Sequence, residues 1–498
     1  MSLAIVYSRA SQGVSAPLVT VEVHVSNGLP GMAIVGLPEK AVKESKDRVR
    51  SALINSRFCV PARRITINLA PADLPKEGAA YDLAIAMGIL VASEQLPCEP
   101  IEKFEFLGEL ALNGELRPVR AALPAALAIH KAGRKLIVSA NNPDLQCLSE
   151  KHQVFLANHL LEVTAHFSGT ACLKNLILTR PTERAITTSD LAEVRGQAQA
   201  KRALEIAAAG GHSLLFVGPP GTGKSMLSSR LPTILPNMSE EQALDVAAIY
   251  SVAKKDIQYH HWRERPYRAP HHTSSAMALI GGGRPPQPGE VSLAHQGVLF
   301  LDELPEFGRH VLEVLREPLE SGHVNISRAA YQATFPAEFQ LIAAMNPCPC
   351  GYFGTSGNQC QCTDEMVSRY KNKISGPLMD RIDMQTAVNP IPRSVLLDST
   401  LCLATETSRQ VQQRVQTAYD KQMARQDKPN ARLSQSEIHE YCKLSNEDIA
   451  YLSTVLEQLK LSARAYYRLL KVARTIADLA DQPMLTREYL QEAMSYRK

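Results

Sequence analysis

Over residues 18–25, Val19, Val21, Val23 and Val25 alternate with Leu18, Thr20, Glu22 and His24, a period of two that predicts a half-buried strand. A second strand is predicted over residues 32–35, closed by Gly36, Leu37 and Pro38, and a β-branched run at 65–69 predicts a third. Between them the period changes. Residues 39–54 set Val42, Val49 and Leu53 among charges, as a helix with one apolar face does, and residues 81–92 are apolar enough for a helix buried on all sides. The pattern is mixed α and β to about residue 170. Thr, Ser, charge and a proline then dominate residues 178–190, which read as a linker.

Beyond the linker, residues 191–209 predict a helix and 213–217 a buried strand, followed by a glycine-rich turn that feeds another helix. Apolar runs at 297–301 and 339–344 predict two further strands. From about residue 395 the strand signals stop, and helices are expected over 407–426, 434–442, 446–459, 463–479 and 486–495. The expected fold class is α/β in three parts: residues 1–178, 190–392 and 393–498.

The chain has 498 residues, 45% hydrophobic and 21% charged, which suits two or three globular domains and excludes bulk disorder. Its net charge of +4 excludes a strongly cationic arm for nucleic acid but leaves room for a local basic patch. No apolar run approaches the ~18 residues of a membrane span. The opening MSLAIVYSRA shows no basic leader before an apolar core, so a cytoplasmic location and no membrane partner are expected. Of ten cysteines, Cys59, Cys98, Cys147, Cys172, Cys402 and Cys442 are isolated and expected to pack as small hydrophobes; the other four lie close together.

GPPGTGKS at 218–225 matches the phosphate-binding loop, with a strand before it and a helix after. Gly218, Pro219, Pro220, Gly221, Thr222 and Gly223 form the turn whose backbone N–H groups face phosphates. Lys224 is suited to the β and γ phosphates and the Ser225 hydroxyl to Mg²⁺, which makes ATP with Mg²⁺ the expected ligand. Downstream, GVLFLDE is an apolar strand ending in Asp302, expected to hold Mg²⁺ through water, and Glu303, expected to act as general base on the attacking water. A third strand ends at Asn346, a candidate to orient that water; alone, an Asn before a Pro is a turn residue.

Cys348, Cys350, Cys360 and Cys362 form two C-x-C pairs able to surround a structural Zn²⁺, with glycines between them for a compact knuckle. A redox dithiol and four unrelated packed thiols are the alternatives. His271 and His272 are adjacent, have no acid or Cys nearby in sequence, and read as structural or interfacial.

With GPPGTGKS, GVLFLDELPEF, APHHTSSAMALIGGG, PGEVSLAHQG, AAMNPCPCG, SGPLMDRID and SARAYYRLLKVARTIADL in place, the chain resembles the AAA+ ATPases of the magnesium-chelatase-related branch, most closely the ComM (YifB) family. The resemblance spans essentially the whole chain. It implies a Lon-protease-like α+β N-terminal domain, an AAA+ P-loop core with a helix-2 insert, and a C-terminal helical lid. It also implies that Arg381 is an arginine finger completing a neighbour's ATP site in a homohexamer, with Arg464 the sensor on the lid and Arg369 and Arg468 as near alternatives. By their residues alone, Arg381 and Arg464 are ordinary ion-pairing arginines. Arg284, in the glycine-rich insert, and Arg328, in the hairpin over residues 325–334, resemble pore-loop positions that touch a DNA backbone; ordinary exposed loops are the alternative.

In the N-terminal region, Ala80 stands where Lon resemblance places the nucleophilic serine, and residues 114–120 carry no lysine, so peptide hydrolysis is not expected. The resemblance implies a hexameric DNA motor promoting branch migration during natural transformation, with DNA and recombination proteins as partners. The second reading is a chelatase-like motor that remodels a partner protein.

Overall fold

The structure, a computed structural model, describes residues 2–36, 39–76, 78–176, 189–253, 262–328, 331–354, 360–391, 406–458 and 462–497. Most of the expected linker, the turn residues Leu37 and Pro38, Glu77 and Cys402 lie outside them.

Eight strands build the N-terminal sheet, in the order Lys174–Asn175, Val154–Ala157, Lys135–Ser139, Phe104–Leu107, Ser2–Arg9, Leu18–Ser26, Arg64–Ala70, Gly31–Val35. Leu18–Ser26 buries every second residue, as its alternation predicts. It runs antiparallel to both neighbours, Ser2–Arg9 and Arg64–Ala70. The helix Asp82–Ala92 is buried nearly throughout and packs on these strands. Its one acid, Asp82, is fully buried and takes Arg48 Nε at 2.7 Å. A carboxylate at that depth needs such a partner.

The second sheet is wholly parallel: Tyr267–Arg268, Val298–Leu301, Gln340–Met345, Leu214–Val217 and Met384–Ala387. Parallel strands between helical layers are buried on both faces, which is why 298–301 and 341–345 read as continuous apolar runs. Their C-terminal ends open on one edge, so the phosphate-loop sequence, Asp302-Glu303 and Asn346 emerge side by side. The single helix predicted over 191–209 is instead a short turn, Leu191–Glu193, followed by the helix Ala198–Gly210. Gly196 and Gln197 both take positive φ, and that pair of left-handed residues breaks the helical path.

The C-terminal helices Ser408–Gln426, Gln435–Tyr441, Asn446–Gln458, Ala463–Leu479 and Arg487–Ser495 share one apolar core with the parallel sheet: Val411, Leu469, Ile476 and Leu490 lie in the same cluster as Leu204, Phe216 and Leu227. The N-terminal region meets the parallel-sheet region through Leu123 and Ala126 against Leu244 and Ala247, and Ser251 Oγ donates to Asp144 Oδ2 at 2.6 Å. Cys147 and Cys442 are buried as expected, but Cys59, Cys98 and Cys172 are exposed, a correction to their reading as packed hydrophobes.

Candidate active site

Gly218–Gly223 follows the strand Leu214–Val217 directly and ends at the helix Lys224–Ile234. Gly221 and Gly223 hold positive φ, the conformation that turns successive N–H groups inward. Thr222 Oγ1 donates to the Pro219 carbonyl at 2.9 Å and closes the loop from inside. Lys224 is buried; its Nζ donates to the carbonyls of Gly218 (2.7 Å) and Pro219 (2.8 Å) and to Asn346 Oδ1 (3.1 Å). Burial lowers the Lys224 pKa from its ordinary value, and the nearby Asp302 and Glu303 charges oppose that shift.

Ser225 Oγ donates to Asp302 Oδ2 at 2.6 Å. A hydroxyl and a carboxylate oxygen converging at the N-terminus of a helix are hard oxygen donors, so the residues present fit Mg²⁺ with a phosphate. Glu303, one residue on, sits at φ +52 with an exposed side chain. Non-glycine residues reach that region at a cost of about 1 kcal/mol or more. The Glu303 carboxylate lies 3.4 Å from His272 Nδ1. His272 follows the strand Tyr267–Arg268, and Arg268 pairs with Leu299; His272 and Glu303 stand the same number of residues past that pair, so the register sets them abreast. Sequence reasoning missed this contact because the acid is distant along the chain.

The four clustered thiols meet. Their Sγ atoms all lie within 4.8 Å of one another, with Cys348 to Cys350 at 3.3 Å, Cys350 to Cys360 at 3.6 Å and Cys348 to Cys360 at 3.8 Å. Zn–S bonds of about 2.3 Å in a tetrahedron separate sulfurs by about 3.8 Å, so the donor set fits Zn²⁺ with no position left for substrate. The backbone N–H of Tyr352, with the Cys348 thiol, lowers the Cys350 pKa to about 6. Gly351 presses on the phosphate loop: a Cβ there would lie 2.7 Å from Pro220 Cδ. The cysteine knuckle therefore braces the loop from outside.

Arg381 is not at this edge. It precedes Met384–Ala387 at the opposite end of the parallel sheet, buried, its guanidinium bonded to Glu320 and to the Pro377 carbonyl. Arg464 is exposed and lies 3.6 Å from the same Glu320, and Arg468 is 3.6 Å from Asp383. The structure thus sets the candidate finger and Arg468 in one cleft of about 840 Å³, away from the Lys224 of their own chain, and the candidate sensor Arg464 reaches that cleft only through Glu320. Arg369 lies elsewhere, beside Phe307 and Lys373. Arg284 is exposed at the turn of the Gly281–Gly282/Gln287–Pro288 hairpin, and Arg328 ends the first strand of the His323–Arg328/Tyr331–Pro336 hairpin.

Ala80 and Arg120 line another cavity, of about 930 Å³, which also reaches Pro285 and Gln332 of the two hairpins; among the described residues no lysine lines it.

A family described as magnesium chelatase, subunit ChlI, matches residues 190–396; one described as subunit ChlI of Mg-chelatase matches 21–142, and one described as the ChlI C-terminal part matches 405–497. The protein YifB of Escherichia coli (strain K12) is 52% identical over 497 residues, covering 100% of this chain and 97% of its own. The competence protein ComM of Haemophilus influenzae is 50% identical over 502 residues, covering 100% of this chain and 98% of its own. This chain belongs to the ComM/YifB family. Its α/β core is that of the magnesium-chelatase-like AAA+ proteins. A further relative, the magnesium-chelatase 38 kDa subunit of Cereibacter sphaeroides, is 27% identical over 172 residues, covering 30% of this chain and 51% of its own.

Proposed function

We propose that this ComM/YifB-family chain is an ATPase whose turnover drives a hexameric ring along DNA, promoting branch migration as incoming DNA is integrated during natural transformation. The observation that carries the ATPase is the convergence of Lys224, Ser225, Asp302 and Glu303 at one sheet edge. Lys224 neutralises the β and γ phosphates, Glu303 takes a proton from the attacking water, and Asn346 orients that water. Ser225 and, through water, Asp302 would hold Mg²⁺, which would supply charge neutralisation on the phosphate oxygens. Arg381 acts on the ATP of the next subunit, a role its place far from its own Lys224 supports, and Arg464 lies with it as the lid sensor.

The name of the Haemophilus relative, a competence protein 50% identical along its whole length, supports the place in DNA uptake. Arg284 and Arg328 would track the DNA backbone from hairpins lining the pore. The domains divide at 1–178, 190–392 and 393–498; the first is Lon-protease-like in shape and inert because Ala80 offers no nucleophile. The four cysteines hold a structural Zn²⁺.

A protein-remodelling motor is the second reading, favoured by the match to the chelatase subunit. ATP turnover of the purified protein, with and without a four-way DNA junction, separates them. Stimulation together with ATP-dependent strand movement is expected; indifference to every DNA form would transfer the function to a partner protein.

A further inference from the structure

The reading of Glu303 as general base leaves its aim unexplained. Its side chain is exposed, its backbone is left-handed, and a carboxylate on three rotatable bonds samples many directions. Misplacing a catalytic group by about 1 Å costs on the order of a hundredfold in rate. Some neighbour has to hold the group.

His272 is built to do so. Its Nδ1 faces Glu303 Oε2 at 3.4 Å. The His271 ring lies 4.1 Å from it, centroid to centroid, and the Phe307 ring stands edge-on at 6.5 Å. His271 is itself pinned, its Nδ1 2.9 Å from Thr273 Oγ1. The His272 ring therefore packs against two others with its Nδ1 within 3.4 Å of the carboxylate. The same segment continues to Ser275, which caps the helix Ala276–Ile280 by accepting from Ala278 N at 3.2 Å, and that helix leads straight into the Gly281–Pro288 hairpin.

Resting on the assignment of Glu303 as base, we propose that His272 is its positioning residue: the Nδ1 side of the imidazole fixes the direction of the carboxylate toward the attacking water without touching substrate.

The test compares His272→Ala, His272→Asn and His272→Gln with Glu303→Gln in the full-length protein, reading kcat and, separately, ATP affinity with a fluorescent ATP analogue. An asparagine amide nitrogen reaches the place of Nδ1, whereas glutamine reaches that of Nε2. His272→Ala is expected to lose about tenfold to a hundredfold in kcat with ATP affinity within about twofold of wild type. His272→Asn should recover most of that loss and His272→Gln should not. Wild-type turnover in His272→Ala, equal impairment in all three variants, or loss of ATP affinity in step with kcat would each overturn the proposal. Glu303→Gln separates the layers: if it turns over normally the base assignment itself falls, and if it is inactive while His272→Ala is normal only the positioning role falls.

Discussion

Lys224 spends its three donors on the Gly218 and Pro219 carbonyls and on Asn346 Oδ1, so the side chain that is to meet phosphate is already drawn toward the residue proposed to orient water. Lys224→Ala is expected to abolish ATP turnover, and Glu303→Gln to bind ATP while slowing hydrolysis by about a hundredfold or more; nucleotide binding and phosphate release measured on both variants check this. His295 makes a different prediction. Burial holds its pKa down at about 4, against the opposing pull of Glu338, and its Nδ1 accepts from the Glu338 N–H at 3.0 Å. The unfolded chain takes up that proton near pH 6.5 and the folded one only near 4, so stability is full above about pH 6.5 and falls as pH drops toward about 4. The loss is on the order of 3 kcal/mol at the lower end. His295→Asn keeps an acceptor near Nδ1 and should flatten this slope in urea unfolding between pH 7.5 and 5; an unchanged slope would assign it to other groups.

Among the elements, the cysteine knuckle carries the most consequence for its size, because Gly351 presses it onto Pro220. Metal analysis of the purified protein is expected to find one zinc per chain. Cys350→Ser combined with Cys360→Ser should remove it, lower the melting midpoint and weaken ATP binding, since the phosphate loop loses its outer brace. Zinc-free protein with four titratable thiols would leave the knuckle as packed cysteines. The strands and helices themselves were legible wherever period and burial coincide, as in Leu18–Ser26 and Asp82–Ala92. They were not legible where backbone conformation intervened: residues 191–209 carry a helical pattern, yet left-handed Gly196 and Gln197 divide it. Apolar periodicity reports which face is buried and is silent about φ.

For the whole molecule, the position of Arg381 at the far end of the sheet from Lys224 makes a prediction that no single site contains. Lys224→Ala and Arg381→Ala should each be inactive alone, but mixed subunits should recover a fraction of wild-type turnover, because an intact finger on one chain then faces an intact phosphate loop on the next. Absence of recovery, with both variants still assembling, would place the finger elsewhere. The N-terminal region also touches the machinery: Gln12 Nε2 donates to the Gln332 carbonyl at 3.0 Å, and Gly13 lies under Ala333, both on the hairpin proposed to meet DNA. Deleting residues 12–15 should therefore change DNA stimulation of the ATPase more than basal turnover, measured with and without a junction.

By itself the sequence determined the phosphate loop, the two carboxylates and the cysteine quartet, because each is a local string whose chemistry requires fixed spacing along the chain. Only the tertiary structure decided what adjoins them. Parallel pairing of Arg268 with Leu299 brings His272 beside Glu303, and the loop following Gln340–Met345 sets Gly351 against Pro220. It also determined that Arg381 and Arg464 share Glu320 rather than approach their own Lys224. Register between distant strands is set by packing of the whole core, and no window of sequence contains it.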